Sequence, residues 1–177
     1  MTGSDVFTPA RALWWQLPLV SVLAVLGLVT AGPEPRMLPI LYLAIVTPAL
    51  CATDVLRRRL PNRLVLPGYL VAAAGVLGQW WLTGELPVVA LVSGSAYFAF
   101  LLVLGLAGGM GMGDVKLAGV LGTAAGLIGG VTAVITPSAA FVLGGIAAVV
   151  ALRQGRGSGI PFGPFMLAGF WIAVALA

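Results

Sequence analysis

The sequence predicts an all-α fold, a polytopic transmembrane helical bundle of about six to seven spans, and three observations lead there. Of the 177 residues, 60% are hydrophobic and only 8% charged, with a mean hydropathy of +1.12. Soluble domains carry about 25% charged residues, so a chain this oily needs lipid around it. Its apolar residues also come in runs close to the roughly 20 that cross a hydrocarbon core, joined by short turns rich in Pro and Gly. Finally, the basic residues sit between those runs, as topology signals do.

The elements follow in chain order. Residues 13–31 form the first apolar stretch. The preceding "MTGSDVFTPARALWW" carries only Arg11 against Asp5, a poor basic region for a signal peptide, so the stretch reads as an anchor although "VTA" at 29–31 resembles a cleavage site. Further spans fall at 37–53, 64–82 and 86–106, separated by "GPEPR", "RRRLPNR" and "TGELP". Residues 115–152 would make a single helix about 57 Å long at 1.5 Å per residue, nearly twice the core thickness. That stretch is therefore two spans, broken at Gly129-Gly130 or at "TPS", 136–138, since glycine relaxes the backbone and Pro137 lacks a helix donor. A last span covers 160–177.

Parity tests this division. With a cytosolic N-terminus, Arg11, Arg57, Arg58, Arg59, Arg63, Lys116, Arg153 and Arg156 all fall on the cytosolic side, and of the nine basic residues only Arg36 falls outside. A single span over 115–152 would move Arg153 and Arg156 to the other face.

Composition also excludes several functions. A net charge of +4 and pI near 10 do not make a nucleic-acid partner, because phosphate tracking needs a clustered basic face; the partner the charges imply is the lipid bilayer. The one cysteine, Cys51, lies in an apolar run, and there is no histidine, so neither a cysteine zinc cluster nor an imidazole base is available. No metal and no cofactor is expected. Chemistry is left to carboxylates, hydroxyls, Lys116 or Cys51. The 25 glycines are spread through the spans, as in "GVLGTAAGLIGG", at spacings that let helix backbones approach in lipid. With no internal repeat and no soluble second part, residues 1–177 read as one membrane-embedded domain.

Five acids are present. Asp5 lies in the N-terminal tail, and Glu34 and Glu85 lie in external turns, where hydration accounts for them. Asp54 ends the run "LYLAIVTPALCATD" and Asp114 ends the loop "GGMGMGD". Two crossings separate them, so both return to one face, at the ends of the second and fourth spans. The plain alternative is that each acid sits at headgroup level, neutralised by Arg57 or Arg58 and by Lys116. Ionisable groups at membrane depth more often face a bundle interior or a wet cavity. Gly108, Gly109, Gly111 and Gly113 allow positive φ angles and bring bare backbone beside Asp114, where an extended substrate strand can lie. A nucleotide loop is a weak reading of the glycines, because no strand precedes them and no βαβ unit fits here.

Two carboxylates sharing a water can hydrolyse an amide. The ionised member acts as base on the water while the protonated member polarises the carbonyl, and the shared proton belongs to the pair rather than to one residue.

Gly111-Met112-Gly113-Asp114 within "GGMGMGDVKLAG", together with "DVLRRRLPNRLVLPG" (54–68) and "IPFGPFMLAGF" (160–170), resembles the type IV prepilin peptidases, GxGD-type membrane aspartic proteases related to the archaeal preflagellin peptidases. The resemblance covers the chain from about residue 40 onward. It implies that Asp54 and Asp114 are the catalytic pair and that the substrate is a prepilin-like protein, a short basic leader followed by an apolar helix. Cleavage is then expected on the cytosolic side of a bacterial inner membrane. By the same resemblance Pro61, Asn62, Gly111, Met112, Gly113, Lys116, Pro161, Phe162, Gly163 and Pro164 shape the site, although Pro61-Asn62 can equally start a span and Lys116 can equally mark topology. Longer members carry an N-terminal domain with paired cysteine motifs tied to methylation. With one cysteine, this chain resembles instead the short, protease-only form that serves Flp or Tad-type pilins. Two other readings stay open: a small transporter whose aspartates relay protons, and a non-catalytic assembly factor of a secretion system.

Overall fold

A computed structural model describes residues 16–155 and 160–177; Asp5, Arg11 and Arg156 lie outside the described residues. Seven helices run in order: α1 Leu17–Ala31, α2 Met37–Arg57, α3 Asn62–Thr83, α4 Val88–Leu106, α5 Met112–Ile128, α6 Gly130–Arg153 and α7 Gly163–Ala175. No strand occurs among the described residues.

Four of these helices, α2, α3, α4 and α6, are long and apolar enough to cross a membrane, so the chain is a multi-pass membrane protein. The 115–152 stretch divides at Gly129, the residue between α5 and α6, and not at 136–138: Pro137 lies inside α6. Pro48 and Pro67 are likewise interior to α2 and α3. Neighbouring helices and local adjustments satisfy the freed carbonyls in such bundles, which is why prolines do not end helices here.

Burial sorts the helices into two groups. Eleven of the 17 residues of α5 are buried, and eight of the 13 of α7. In α4 and α6 only four residues each are buried, and most of their remaining valines, leucines and isoleucines are exposed, as lipid-facing helices require. The core therefore lies where α2, α5 and α7 meet. At about 20 Å, α7 is shorter than the hydrocarbon thickness, which a helix enclosed by its neighbours tolerates. Trp171 of α7 anchors it to α2, its indole N–H donating to the Thr47 hydroxyl at 3.0 Å in the buried interior.

The turns collect at two ends. At one, Pro35 of the α1–α2 turn sits against Gly75 and Gly78 of α3, and the Thr30 hydroxyl donates to the Val174 carbonyl of α7 at 3.2 Å. At the other lie the α2–α3 turn, the α4–α5 loop and the start of α7. Arg57, Arg58, Arg59, Arg63, Lys116 and Arg153 belong to this second end by their helix positions, and Arg36, paired with Glu34, to the first.

Candidate active site

Asp54 occupies the last turn of α2. The helix runs four residues past the expected boundary at 53 and closes on Arg58, whose φ of 51° is left-handed and whose N–H donates to the Asp54 carbonyl at 2.8 Å. This places the Asp54 side chain inside the bundle, 5% exposed. Its Oδ2 accepts the Gly163 N–H at 2.9 Å. Gly163 is the first residue of α7, so the carboxylate takes up one of the backbone donors that the helix start leaves unpaired.

Asp114 lies in the first turn of α5, not at the end of the loop, because α5 begins at Met112 with Gly111 as its N-cap. Asp114 thus belongs to a helix start, whereas Asp54 ends one helix and reaches the start of another through Gly163. Asp114 Oδ2 is beside Gly111, 3.3 Å from where a Cβ there would sit, and Oδ1 is buried without a hydrogen-bond partner. The residue before Asp114, Gly113, and the residue bonded to Asp54, Gly163, both lie against Leu60. Of the four glycines that allow it, only Gly108 uses a positive φ, 81°; Gly111 is extended and Gly113 helical. Gly113 matters for space. A Cβ there would fall 2.9 Å from the Leu60 Cβ.

Leu60 joins the parts. It is the lone aliphatic side chain between Arg59 and Pro61, buried to 9% exposure. It touches Gly113 of α5, and its Cδ2 lies 3.3 Å from the Cβ position of Gly163 on α7. One leucine thus seats the first turns of α5 and α7 beside the end of α2. A single apolar residue within a basic turn is the signal that could have found it.

The remaining candidates divide. Gly163 touches Asp54 directly. Phe162 packs the start of α7 onto α6, against Gly144 and against Phe141 at a ring distance of 5.2 Å, while Pro164 falls in the first turn of α7 and Pro161 precedes Phe162 outside the helix. Pro61 is the N-cap of α3. Asn62 accepts from the Lys116 ammonium at 3.2 Å, so Lys116 is engaged there and not with Asp114. Met112 and Lys116, four residues apart, share one face of α5 and line a hollow of about 460 Å³ with Leu66, Tyr69 and Phe98, whereas a residue midway between them in sequence projects to the other side. These two side chains are not brought to the acids. Tyr97 of α4, by contrast, was not among the expected residues. It is 5% exposed, its hydroxyl has no hydrogen-bond partner, and it stands on the face of α4 that packs against α5.

Fold and site together define a membrane-embedded helical bundle that holds two carboxylates from different helices at one end of its core. Residues 40–152, which include both acids, match the type IV leader peptidase family, and the chain belongs to that family. It is 34% identical over 169 residues to a prepilin leader peptidase/N-methyltransferase of Pseudomonas putida, covering 89% of this chain and 57% of that protein. It is 32% identical over 163 residues to proteins of the same description from Aeromonas salmonicida and Aeromonas hydrophila, covering 88% of this chain and 55% of each. The chain thus spans a little over half the length of these curated relatives. No solved structure matches it.

Proposed function

We propose that the chain is an aspartic endopeptidase that removes the short basic leader from a prepilin-like protein at the cytosolic face of a bacterial inner membrane, with Asp54 and Asp114 as the catalytic pair. The observation that carries this reading is the junction of α2, α5 and α7: two acids 60 positions apart in sequence lie on separate helices at the same end of one bundle, Asp54 bonded to the start of α7 and Asp114 in the first turn of α5, with Leu60 packed against both helix starts. One carboxylate takes a proton from water as the other, protonated, donates to the scissile carbonyl. The tetrahedral intermediate then collapses with a proton delivered to the leaving amine. No metal or cofactor enters the scheme.

Both acids occupy helix ends, where a leader emerging from the membrane can meet them. A proton-relaying transporter calls for acids midway along the spans. The active-site end is itself basic, through Arg57, Arg58, Arg59, Arg63 and Lys116, and so does not attract a basic leader by charge. Affinity comes from packing the substrate's apolar helix against the bundle, with anionic lipid beside the leader. The methyltransferase half of the relatives' description is not carried over, because these 177 residues hold one cysteine and no histidine, without the paired cysteine motifs linked to it. Under this reading residues 1–177 act as one peptidase domain.

Coexpression with a pilin precursor from the same genome tests the proposal by the precursor's size on a gel. Asp54→Asn and Asp114→Asn each keep shape while removing acid–base capacity, and each is expected to lower cleavage by about 10²-fold or more, with membrane insertion unchanged. Cleavage at the parent rate by either variant excludes the pair.

A further inference from the structure

The buried stripe of α4 consists of Ala90, Gly94, Tyr97 and Leu101, spaced four, three and four residues apart, the repeat of one helix face. That face lies on α5. Gly94 is against Gly119, whose carbonyl is 3.2 Å from its Cβ position, and Gly105, one turn beyond Leu101, is against Val115 at 3.3 Å. Tyr97 falls between these two crossing points, which places it opposite the stretch of α5 between Val115 and Gly119, directly after Asp114 in the first turn.

Tyr97 also lines an apolar cleft of about 630 Å³ between α4 and α6, with Val92, Phe100, Val134 and Pro137. The hydroxyl is enclosed and unpaired, as is Asp114 Oδ1. An orphaned buried hydroxyl is costly, and a buried water commonly joins such groups when two or more polar partners surround it. Two orphans on facing helices supply those partners.

We propose that Tyr97 is a positioning residue for the hydrolytic site, its hydroxyl and Asp114 Oδ1 holding one water between them so that the Asp114 carboxyl is fixed in orientation. The donor is the tyrosine O–H or the water, the acceptor the carboxyl oxygen; no bond to carbon is made or broken. This rests on the peptidase reading for its consequence in rate, though the link between Tyr97 and Asp114 does not.

Tyr97→Phe keeps the ring and removes only the oxygen. With purified protein in lipid nanodiscs, the infrared carbonyl stretch of Asp114, assigned by its loss in Asp114→Asn, is expected to shift in Tyr97→Phe. Cleavage of the pilin precursor should lose about tenfold in kcat with KM unchanged, the size expected for one positioning hydrogen bond. If parent protein cleaves no precursor yet the Asp114 band shifts, the functional reading falls and the link stands. An unshifted band overturns the inference, most plainly if Tyr97→Phe also melts higher, as removal of a merely orphaned hydroxyl would make it do.

Discussion

At the scale of single residues, the site depends on bare backbone at Gly163. Its N–H reaches Asp54 Oδ2 at 2.9 Å, and a Cβ added there would stand 2.8 Å from that same oxygen and 3.2 Å from Cγ. The clash is with the end of a side chain, which can rotate away, so the helices need not move. Gly163→Ala should therefore insert and fold like the parent while turning the Asp54 carboxylate out of place. Displacements of about 1 Å can cost about 10²-fold in rate, and a loss between about 10-fold and 10²-fold in precursor processing is expected at equal protein level. A parent-like rate would mean that the Asp54–Gly163 hydrogen bond is incidental. Gly111→Ala is the milder neighbour, since its Cβ would meet Asp114 Oδ2 at 3.3 Å.

At the scale of elements, α5 depends on glycine in a different way. A Cβ on Gly122 would lie 2.7 Å from the Ser93 carbonyl oxygen and 2.9 Å from the Gly94 Cα. Those are backbone atoms of α4, so a whole helix has to shift. Gly122→Ala should destabilise the bundle by about 1–3 kcal/mol, the usual cost of overpacking, and lower its thermal midpoint in detergent. Gly129, seven residues on, has extended backbone that any residue adopts and nothing within 4 Å of its Cβ position; Gly129→Ala should stay within about 0.5 kcal/mol. Equal midpoints for the two variants would remove the close α4–α5 approach. This contrast also marks what the sequence made legible. Composition and run length gave the helices and required the 115–152 stretch to divide, but not where. Pro137 and Gly129 are both plausible breaks in isolation, and only the packing of α6 against its neighbours, which keeps Pro137 helical, decides between them. Asp54 and Asp114 were legible because acids are rare in oil and parity puts them on one face. The Gly163 hydrogen bond, which spans 109 positions, and the orientation of Tyr97 toward α5 depend on tertiary packing, and local pattern carries no trace of either. Lys116 shows the converse: the family resemblance counted it among the site-shaping residues, yet the helical turn sends it to Asn62.

At the scale of the whole molecule, the helix directions and the charges point the same way. Six of the seven described basic residues belong to the end that holds Asp54 and Asp114, and Arg36 alone belongs to the other. Cationic side chains near span ends are retained on the cytosolic side, so the acids should face the cytosol, where the leader of a pilin precursor remains. With Cys51 replaced by serine, single cysteines at Arg59, Ala107 and Gln154, all exposed at the acid end, and at Pro33 and Glu85, exposed at the far end, report the orientation. An impermeant thiol reagent added to intact spheroplasts should label positions 33 and 85 only, and should reach 59, 107 and 154 once the membrane is opened. Labelling of 59 and 107 from opposite sides would separate the α2–α3 turn from the α4–α5 loop. Asp54 and Asp114 could then share neither a water nor a substrate, whatever the catalytic capacity of each carboxylate alone.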